Sequence, residues 1–451
     1  MKKAKDMRHP TIRASIFLLM MAASTAGAQT FSGRLTSSFY TFERSDTIGV
    51  SSTHARGYQA FQFDLKNRNF MLRTFGQLEN DLSTQLAGDG KVRMYNLYLQ
   101  WRDTQRRAEV SVGRQSIYSG VAVGTIDGAQ LKYKVKSWLR LKAFGGGLLP
   151  ANQRLKLVDD VSDNFMAGGQ ALIFPTNDLK IGVSYFNKKQ TRASYRAIRA
   201  DSVGNVFEQL IEPDNQAYQF ASLDARWAPK GETSLYTRSD FDVYSKKFTR
   251  AEFSARTAVT TKLSVNAAYT FRSPRLPRNS IFSLFNVENN HELEGGLYYR
   301  AQKNIGVYGN FAGIFYDQEN SLRGSVGVDL GYGGISYVVR GGYAGSLNGV
   351  NGSFYYPMYS GKLMPNVMLS WVSYKVGEAG AIITEEEELD TSGNKIYGSK
   401  TESLLSSAFG LMVRPHKLVT IDGQVQVLNN RYYSNDVRFL MRLQYVFFSR
   451  I

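Results

Sequence analysis

The residues with the most evident chemical potential are arginines and lysines that alternate with apolar residues along short segments of the chain. Successive side chains of a β-strand point to opposite faces, so each such segment has one apolar face and one basic face. If the apolar face is turned outward, the inward face carries Arg73, Arg102, Arg140, Lys142, Arg226, Arg238, Arg256, Arg300 and Arg340. Rings of such groups attract and select anions in a water-filled pore.

Inward acids leave a second interpretation open. They are fewer than the inward bases and comprise Asp64, Glu79, Glu109, Asp224, Asp240, Glu252, Glu292, Glu294, Asp329 and Asp422. An arginine and a carboxylate on neighbouring strands commonly pair to fill and stiffen a barrel wall, and for any single arginine this is the more frequent role. The net charge is the firmer indication: residues 29–451 hold 50 Lys and Arg against 37 Asp and Glu, a balance of +13.

Other catalytic or metal-binding chemistry is not predicted. The four histidines, His9, His54, His291 and His416, are dispersed, so the sequence shows neither metal-ligand spacing nor a catalytic triad. The chain has no Cys and therefore no thiolate ligand or disulfide. We expect no cofactor and no enzymatic activity. The basic charge does not predict nucleic-acid binding either, because the sequence contains no P-loop, no nucleotide-binding fingerprint and no nucleic-acid-binding fold.

The elements that must position the inward bases are amphipathic strands of about 9 to 11 residues, the length that crosses a bilayer when tilted. The clearest are residues 94–102, 130–136, 179–187, 263–271 and 420–428. Short polar turns, typical of the periplasmic side, occur at 66–69, 103–107, 175–178, 228–232, 260–262, 302–304 and 415–417. The longer connections predict extracellular loops at 45–54, 81–90, 148–164, 191–215, 273–290 and 377–394.

This alternation predicts an all-β fold: a transmembrane antiparallel up-and-down β-barrel with an even number of strands, about 16 to 22. Our count reaches 22, with the stretch around 353–363 the weakest. Only alternate residues of a barrel face lipid, which agrees with a mean hydropathy of −0.30 and an aromatic content of 13%. No change in composition divides residues 29–451, which we expect to form a single domain.

The first 28 residues have the pattern of a cleaved signal peptide. Lys2, Lys3, Lys5, Arg8 and Arg13 precede a short apolar run, and small residues at 26–28 predict cleavage before Gln29. An apolar run of this length is too short to span a bilayer, which needs about 20 residues. The protein is therefore expected to be exported.

The last strand, residues 436–448, has an outward face of Val437, Phe439, Met441, Leu443, Tyr445 and Phe447. Such a terminal strand resembles the assembly signal of bacterial outer-membrane β-barrels, carried here by Phe439, Leu443, Tyr445, Phe447 and Phe448. The resemblance implies insertion by the barrel assembly machinery into the bacterial outer membrane. Outer-membrane lipids and lipopolysaccharide would then surround the chain.

A segment of about 20 residues, 112–131, resembles a strand pair of substrate-specific and alginate-export-type porins. It reads Val112-Gly113-Arg114-Gln115, then a loop with Gly120 and Gly124, then Asp127-Gly128. The resemblance implies that Arg114 and Gln115 project near the lumen and that the loop folds inward beside Asp127. Alternatively, Gly113 and Gly128 occupy a bulge or turn and Arg114 forms a hairpin ion pair with Asp127.

Three functional classes remain open. The leading hypothesis is a channel, monomeric or homo-oligomeric, for passive diffusion of small hydrophilic, anionic solutes, which bind weakly at several sites as flux requires. Barrels of about 16 strands or more leave an aqueous channel, whereas about 8 are filled by side chains. The alternatives are a non-conducting scaffold or assembly component and an outer-membrane enzyme with its nucleophile and base on the wall.

Overall fold

The computed structural model shows one closed sheet of 22 strands. It describes residues 30–47, 50–83, 91–150, 152–192, 194–200, 206–211, 216–229, 233–274, 289–317, 319–342, 345–376, 388–389, 395–396, 401–429 and 436–450. The predicted signal peptide, residues 1–28, lies outside this part of the chain. No helix in the described part is long and apolar enough to cross a membrane.

The strands are numbered along the chain. Their bounds are β1 Thr30–Thr47, β2 Val50–Asn67, β3 Phe70–Asp81, β4 Lys91–Arg102, β5 Ala108–Ser119, β6 Ala122–Lys136, β7 Leu139–Leu148, β8 Phe165–Ile173, β9 Leu179–Gln190, β10 Tyr195–Ala200, β11 Val206–Ile211, β12 Gln216–Trp227, β13 Ser234–Asp242, β14 Lys247–Ala258, β15 Leu263–Arg272, β16 Asn290–Gln302, β17 Ile305–Phe315, β18 Asn320–Leu330, β19 Gly333–Gly342, β20 Gly345–Tyr355, β21 Leu363–Val376, β22 Glu388–Leu389, β23 Lys395–Ile396, β24 Glu402–His416, β25 Val419–Asn429 and β26 Asp436–Ser449.

Antiparallel pairing between chain neighbours runs round the whole barrel. Strand β9 pairs with β12 and strand β21 with β24, so the small hairpins β10–β11 and β22–β23 belong to connections outside the wall. The ring closes where β26 pairs with β1, from Phe31 opposite Ser449 to Tyr40 opposite Leu440. The predicted antiparallel up-and-down barrel is confirmed, and its strand number is the upper end of the predicted range.

The long connections between wall strands lie at one end of the barrel, as predicted, although that end also carries short ones such as the turn at 243–246 between β13 and β14. The weak stretch near 353–363 is a turn between β20 and β21 on the short-turn side. The predicted loop at 45–54 is wrong, because β1 and β2 continue as a hairpin until Thr47 pairs with Val50. The polar residues of this stretch interrupt the apolar–polar alternation by which strands were recognised, because a strand segment outside the bilayer needs no apolar face.

The two faces of the wall follow the predicted alternation. On β26, Val437, Met441 and Leu443 are exposed on the outer face, while inward Arg442 binds Asp422 of β25 at 2.6 Å. One outward assignment is wrong. Tyr95 of β4 stacks on Phe75 and approaches Gln77, both on the inner face, because a bulge opposite Phe75 and Gly76 shifts the alternation there.

Aromatic rings on the outer face cover the seam between the first and last strands. Phe447 lies 5.0 Å from Phe31 and 5.9 Å from Phe63, measured between ring centroids, and all three surround Gly33. A Cβ atom at Gly33 would lie 2.5 Å from the Phe447 ring and 2.6 Å from the carbonyl oxygen of Gln62. The close packing of this seam therefore requires glycine.

We expect Gly33→Val to destabilise the barrel by about 1–3 kcal/mol, the usual effect of overpacking. The measurement is the free energy of unfolding in urea, with protein refolded into lipid vesicles. Gly295→Val is the matched control, since Gly295 is a strand glycine with no atom within 4 Å of its added Cβ. Equal stability of the two variants would contradict this account of the seam.

Candidate functional site

The tip of the β5–β6 hairpin, residues 116–125, leaves the wall and enters the barrel. Pairing between β4 and β5 stops at Leu97 and Arg114, whereas β5 and β6 stay paired as far as Ser119 and Ala122. Strand β6 also contacts β8 and β9, which are not its neighbours in the sheet. The hairpin tip is therefore folded over the inner face of the adjacent wall.

An apolar cluster holds the tip against that wall. Ile117, Ala122 and Ile126 of the hairpin are fully buried and pack on inward side chains of β7, β8 and β9: Phe144, Leu148, Met166 and Phe186. At the turn, the backbone N–H of Val121 donates to Ser184 Oγ at 3.0 Å. Gly120 has φ +61° and an added Cβ would lie 2.0 Å from the same Oγ, so this contact needs glycine.

The bend begins at Gly113. Its φ is +125°, and an added Cβ would lie 2.4 Å from the carbonyl oxygen of Leu97, so both the conformation and the close approach require glycine. Gln115 fixes the new direction, because its amide accepts from Ser111 Oγ at 2.5 Å and donates to the carbonyl of Gly128 at 3.2 Å. The inward loop and the glycine bulge, given above as alternatives, occur together.

Arg114 is buried at the point where the hairpin departs and is only 2% exposed. Its Nε and Nη2 donate to the two carboxylate oxygens of Asp127 at 2.7 Å each. Its remaining donors reach four backbone carbonyls, those of Met94, Gln153, Arg154 and Lys156, at 2.8 to 3.2 Å. The prediction that Arg114 lines the pore is therefore wrong, because its guanidinium is enclosed by protein.

The connection between β7 and β8 supplies three of those carbonyls. The carbonyl of Gln153 also accepts from the Met94 backbone N–H at 3.0 Å, so this connection lies beside β4 where the hairpin has departed. Asp160, in the same connection, accepts hydrogen bonds from the hydroxyl and backbone N–H of Ser162, which hold the pKa of the Asp160 carboxyl below its ordinary value. The β7–β8 connection thus occupies the position beside β4 from which β5 has departed.

Besides Arg114, three of the predicted pore-lining arginines are bound to carboxylates. Arg73 forms a bidentate pair with Asp64 at 2.7 Å, Arg102 binds Glu109 at 2.7 Å, and Arg238 binds Asp240 at 2.9 Å. For these residues the wall-stiffening role, one of the two interpretations of the sequence, describes the observed contacts. Their charges are largely compensated where they stand.

The other predicted residues form no ion pair with a carboxylate in the described part of the chain. Arg140 lies over the Phe174 ring at 4.7 Å, and Lys142 faces Lys132 across the β6–β7 pair. Arg340 lies opposite Arg323, which binds Glu292 and Glu294 instead. Arg226, Arg256 and Arg300 complete this uncompensated set.

The uncompensated Arg226, Arg256 and Arg300 lie in one region of the inner face together with Lys180 and the paired Arg238. We term this region the basic recess. It consists of two adjoining cavities of about 470 and 350 Å³, which share Arg226 and Ser234. Asp224 is the acid in its lining, and the hydroxyls of Ser234, Tyr236 and Tyr298 add neutral donors. Gly120 also lines the larger cavity, so the inward hairpin forms one of its walls.

Guanidinium groups suit this position because they stay charged at every physiological pH and bind carboxylate or phosphate through two parallel hydrogen bonds. Farther round the wall, a cavity of about 460 Å³ has a neutral lining of Ser336, Asn351, Ser370, Gln424 and Gln426, with Asp329 its charged residue. The recess on β9–β16 therefore has a basic lining, whereas this cavity on β17–β25 has a nearly neutral one.

Lys180 was not among the predicted pore residues, although the sequence carried the signal. It alternates with Leu179 and Ile181, which face outward, so period two alone places it inward. The folding of the hairpin tip onto β8 and β9 had no comparable local signal. That contact joins residues about 60 positions apart, such as Val121 and Ser184.

No family model matches the sequence, and no curated protein matches it either. Among solved structures, a mutant of the ferric enterobactin receptor PfeA from Pseudomonas aeruginosa aligns with 94% of this chain and 81% of its own, at 11% identity and a TM-score of 0.57. A second mutant of that receptor aligns with 93% of this chain and 81% of its own, at 11% identity and a TM-score of 0.55. These likenesses show the fold alone, which is a large closed antiparallel β-barrel.

We expect Arg114→Ala to cost about 3–5 kcal/mol, because it leaves Asp127 and several carbonyls without their buried partner. Hydrogen exchange at the amides of Met94 and Val121 should become faster, since both belong to segments that Arg114 ties together. Unfolding in urea and exchange followed by mass spectrometry would measure the two effects.

Arg196→Ala is the matched control. Arg196 pairs with Glu208 on the β10–β11 hairpin, where both side chains are more than half exposed, so its loss should cost less than about 1 kcal/mol. If Arg114→Ala left stability and exchange as they are in the control, Arg114 would not hold the hairpin and the β7–β8 connection.

Proposed function

We propose that this protein is a porin-like channel of the bacterial outer membrane, through which small, hydrophilic, anionic solutes diffuse passively. The observation that carries the proposal is the basic recess, where Arg226, Arg256 and Arg300 face the interior without a partner carboxylate in the described part of the chain. Uncompensated arginines are costly to keep unless water or an anion solvates them. Their clustering on one side of an enclosed wall therefore supports a path for anions.

The size of the barrel is consistent with conduction. With strands about 4.8 Å apart and tilted by about 40°, a circular section of 22 strands is roughly 40 Å across between backbones. The inward hairpin narrows this section on the β7–β12 side, where its tip reaches the recess. A solute passing the hairpin would come close to the cations at that point.

Selection would then be electrostatic. An anion leaving bulk water gains from several guanidinium groups at once, while a cation is repelled by the same field. Asp224 and the paired Asp240 temper the attraction, so binding stays weak enough for release toward the other side. The hydroxyls of Tyr236, Tyr298 and Ser234 can solvate the polar remainder of the solute.

The same proposal includes the surroundings of the barrel. The outer face would contact outer-membrane lipids and lipopolysaccharide, and the aromatic C-terminal strand would be recognised by the barrel assembly machinery. Association into homo-oligomers is compatible with a channel in each subunit. Export by the N-terminal signal peptide and location in the outer membrane are parts of this proposal.

The test is single-channel recording of the refolded protein in planar bilayers, with the reversal potential measured under a salt gradient. Replacing Arg226, Arg256 and Arg300 together by Gln should lower the anion-to-cation permeability ratio several-fold. A unit charge acting at about 8 Å through water is worth roughly 0.5 kcal/mol, so three charges are worth roughly 1.5 kcal/mol before screening by salt.

The control is the double change Arg73→Gln with Asp64→Asn, which removes a wall arginine and its partner without altering net charge. It should leave the permeability ratio unchanged. A correctly folded protein that carried no current would refute the channel and favour the non-conducting scaffold. A conductance with no ion preference in the parent would refute the role of the recess.

A further inference from the structure

Three side chains at the extracellular end of β2 and β3 form a continuous hydrogen-bonded chain. Ser52 Oγ lies 3.2 Å from His54 Nε2, and His54 Nδ1 lies 3.2 Å from Asp81 Oδ2. This arrangement could not be predicted from the sequence, because Asp81 is remote along the chain from Ser52 and His54. Antiparallel pairing of β2 with β3, with Arg56 opposite Asp81, brings the carboxylate to the histidine.

The imidazole is held in one orientation. His54 is 2% exposed, and its ring stacks on Phe42 with 5.4 Å between centroids. The side chain of Asp81 is completely buried, and its other oxygen, Oδ1, accepts hydrogen bonds from the backbone N–H and hydroxyl of Ser83 at 3.0 and 2.9 Å. A fixed carboxylate at Nδ1 favours the tautomer in which Nδ1 carries the proton and Nε2 accepts.

The exposure of the three groups differs in a way that matters for chemistry. Asp81 and His54 are buried behind Ser52, whereas Ser52 itself is exposed to water. A structural hydrogen-bond network needs no exposed terminal hydroxyl. A nucleophilic site does need this order: an exposed hydroxyl, a buried base that contacts it, and a carboxylate that contacts the base. The two separations of 3.2 Å are close to those of a serine–histidine–acid arrangement before substrate binds.

We propose that Ser52, His54 and Asp81 form a nucleophilic site that cleaves small water-soluble carboxylic esters at the extracellular mouth of the barrel. Ser52 Oγ forms a bond to the ester carbonyl carbon while His54 Nε2 takes the hydroxyl proton. As the ester C–O bond breaks, that proton passes to the departing alkoxide and an acyl-serine remains. Water then bonds to the acyl carbon and gives a proton to Nε2. The acyl C–Oγ bond breaks, Ser52 Oγ takes its proton back from the imidazolium, and the carboxylic acid leaves.

Asp81 acts here as a positioning residue that orients the imidazole and stabilises its charged form. Arg56 assists indirectly, since its Nη1 binds Glu79 at 2.9 Å and its Nε lies 3.8 Å from Asp81. The site is far from the basic recess, which lies beyond the β5–β6 hairpin on other strands. The proposal therefore stands independently of ion conduction.

The experiment uses the full chain refolded in detergent and treated with a fluorophosphonate probe, which forms a stable phosphonyl ester with activated serines. We expect a single label, located at Ser52 by mass spectrometry, and its loss in Ser52→Ala. His54→Gln should slow labelling at least a hundredfold, within the range that a general base contributes. Hydrolysis of p-nitrophenyl acetate should fall in parallel.

Asp81→Asn tests whether Asp81 positions the His54 imidazole for reaction or only stabilises the fold. It should slow labelling and also alter its pH dependence, because the imidazole loses the carboxylate that fixes its tautomer, whereas a purely structural role would leave the pH profile in place. Labelling of the parent protein itself needs no variant, which keeps the proposal testable even where a substitution disturbs folding.

Ser336→Ala is the matched control, since Ser336 lines the wall cavity between β19 and β20 and forms no hydrogen bond with a histidine in the described part of the chain. It should label like the parent. Unlabelled parent protein or equal labelling of Ser52→Ala would each overturn the proposal. Single-channel conductance of Ser52→Ala should equal that of the parent, which distinguishes failure of this site from failure of the channel.

Discussion

The constraint on which the rest of this structure depends is the hydrogen-bonding demand of the backbone. At membrane depth no water is available to an unpaired N–H or C=O, so a sheet can span a bilayer only if it has no open edge. The pairing of β26 with β1 removes that edge and closes 22 strands into a ring. Closure also separates the two faces of the sheet, so that alternate side chains of every strand line one enclosed inner surface. The charge of that surface is the sum of the inward residues.

The inward hairpin creates a local exception that the protein must repair. Above Leu97, β4 has lost β5 as a partner, and Gln153 from the β7–β8 connection accepts the Met94 N–H instead. Arg114 completes the repair, because a guanidinium has five donors and no acceptor and can satisfy several carbonyls that no strand reaches. Its pairing with Asp127 neutralises the charge that this role buries. A residue whose type suggests anion binding is here a structural centre.

The remaining basic residues fall into two physical groups. Where a carboxylate stands on the adjacent strand, as at Arg73 and Asp64, the pair is local and contributes little field. Where none does, as at Arg226, Arg256 and Arg300, the charges add, and the net excess of the composition becomes a patch on one side of the lumen. The tip of the β5–β6 hairpin forms one wall of the basic recess. The cationic patch and the narrowing of the barrel interior therefore lie at the same place, although they come from separate parts of the chain.

Sequence alternation was enough to predict the barrel, an even strand number of about 16 to 22, the outward face of the clearest strands and the inward position of the bases. These features follow from period two, which each segment carries locally. Tertiary structure decided which bases are compensated by an adjacent strand, since Arg73 and Arg256 look alike in the alternation, but Arg73 lies opposite Asp64 and Arg256 opposite Asn266. It also decided that Arg114 is buried, that residues 116–125 lie on the inner face of β8 and β9, and that His54 lies between Ser52 and Asp81. Each of these depends on which residues the strand register and the hairpin fold bring together, and a period of two does not specify those partners.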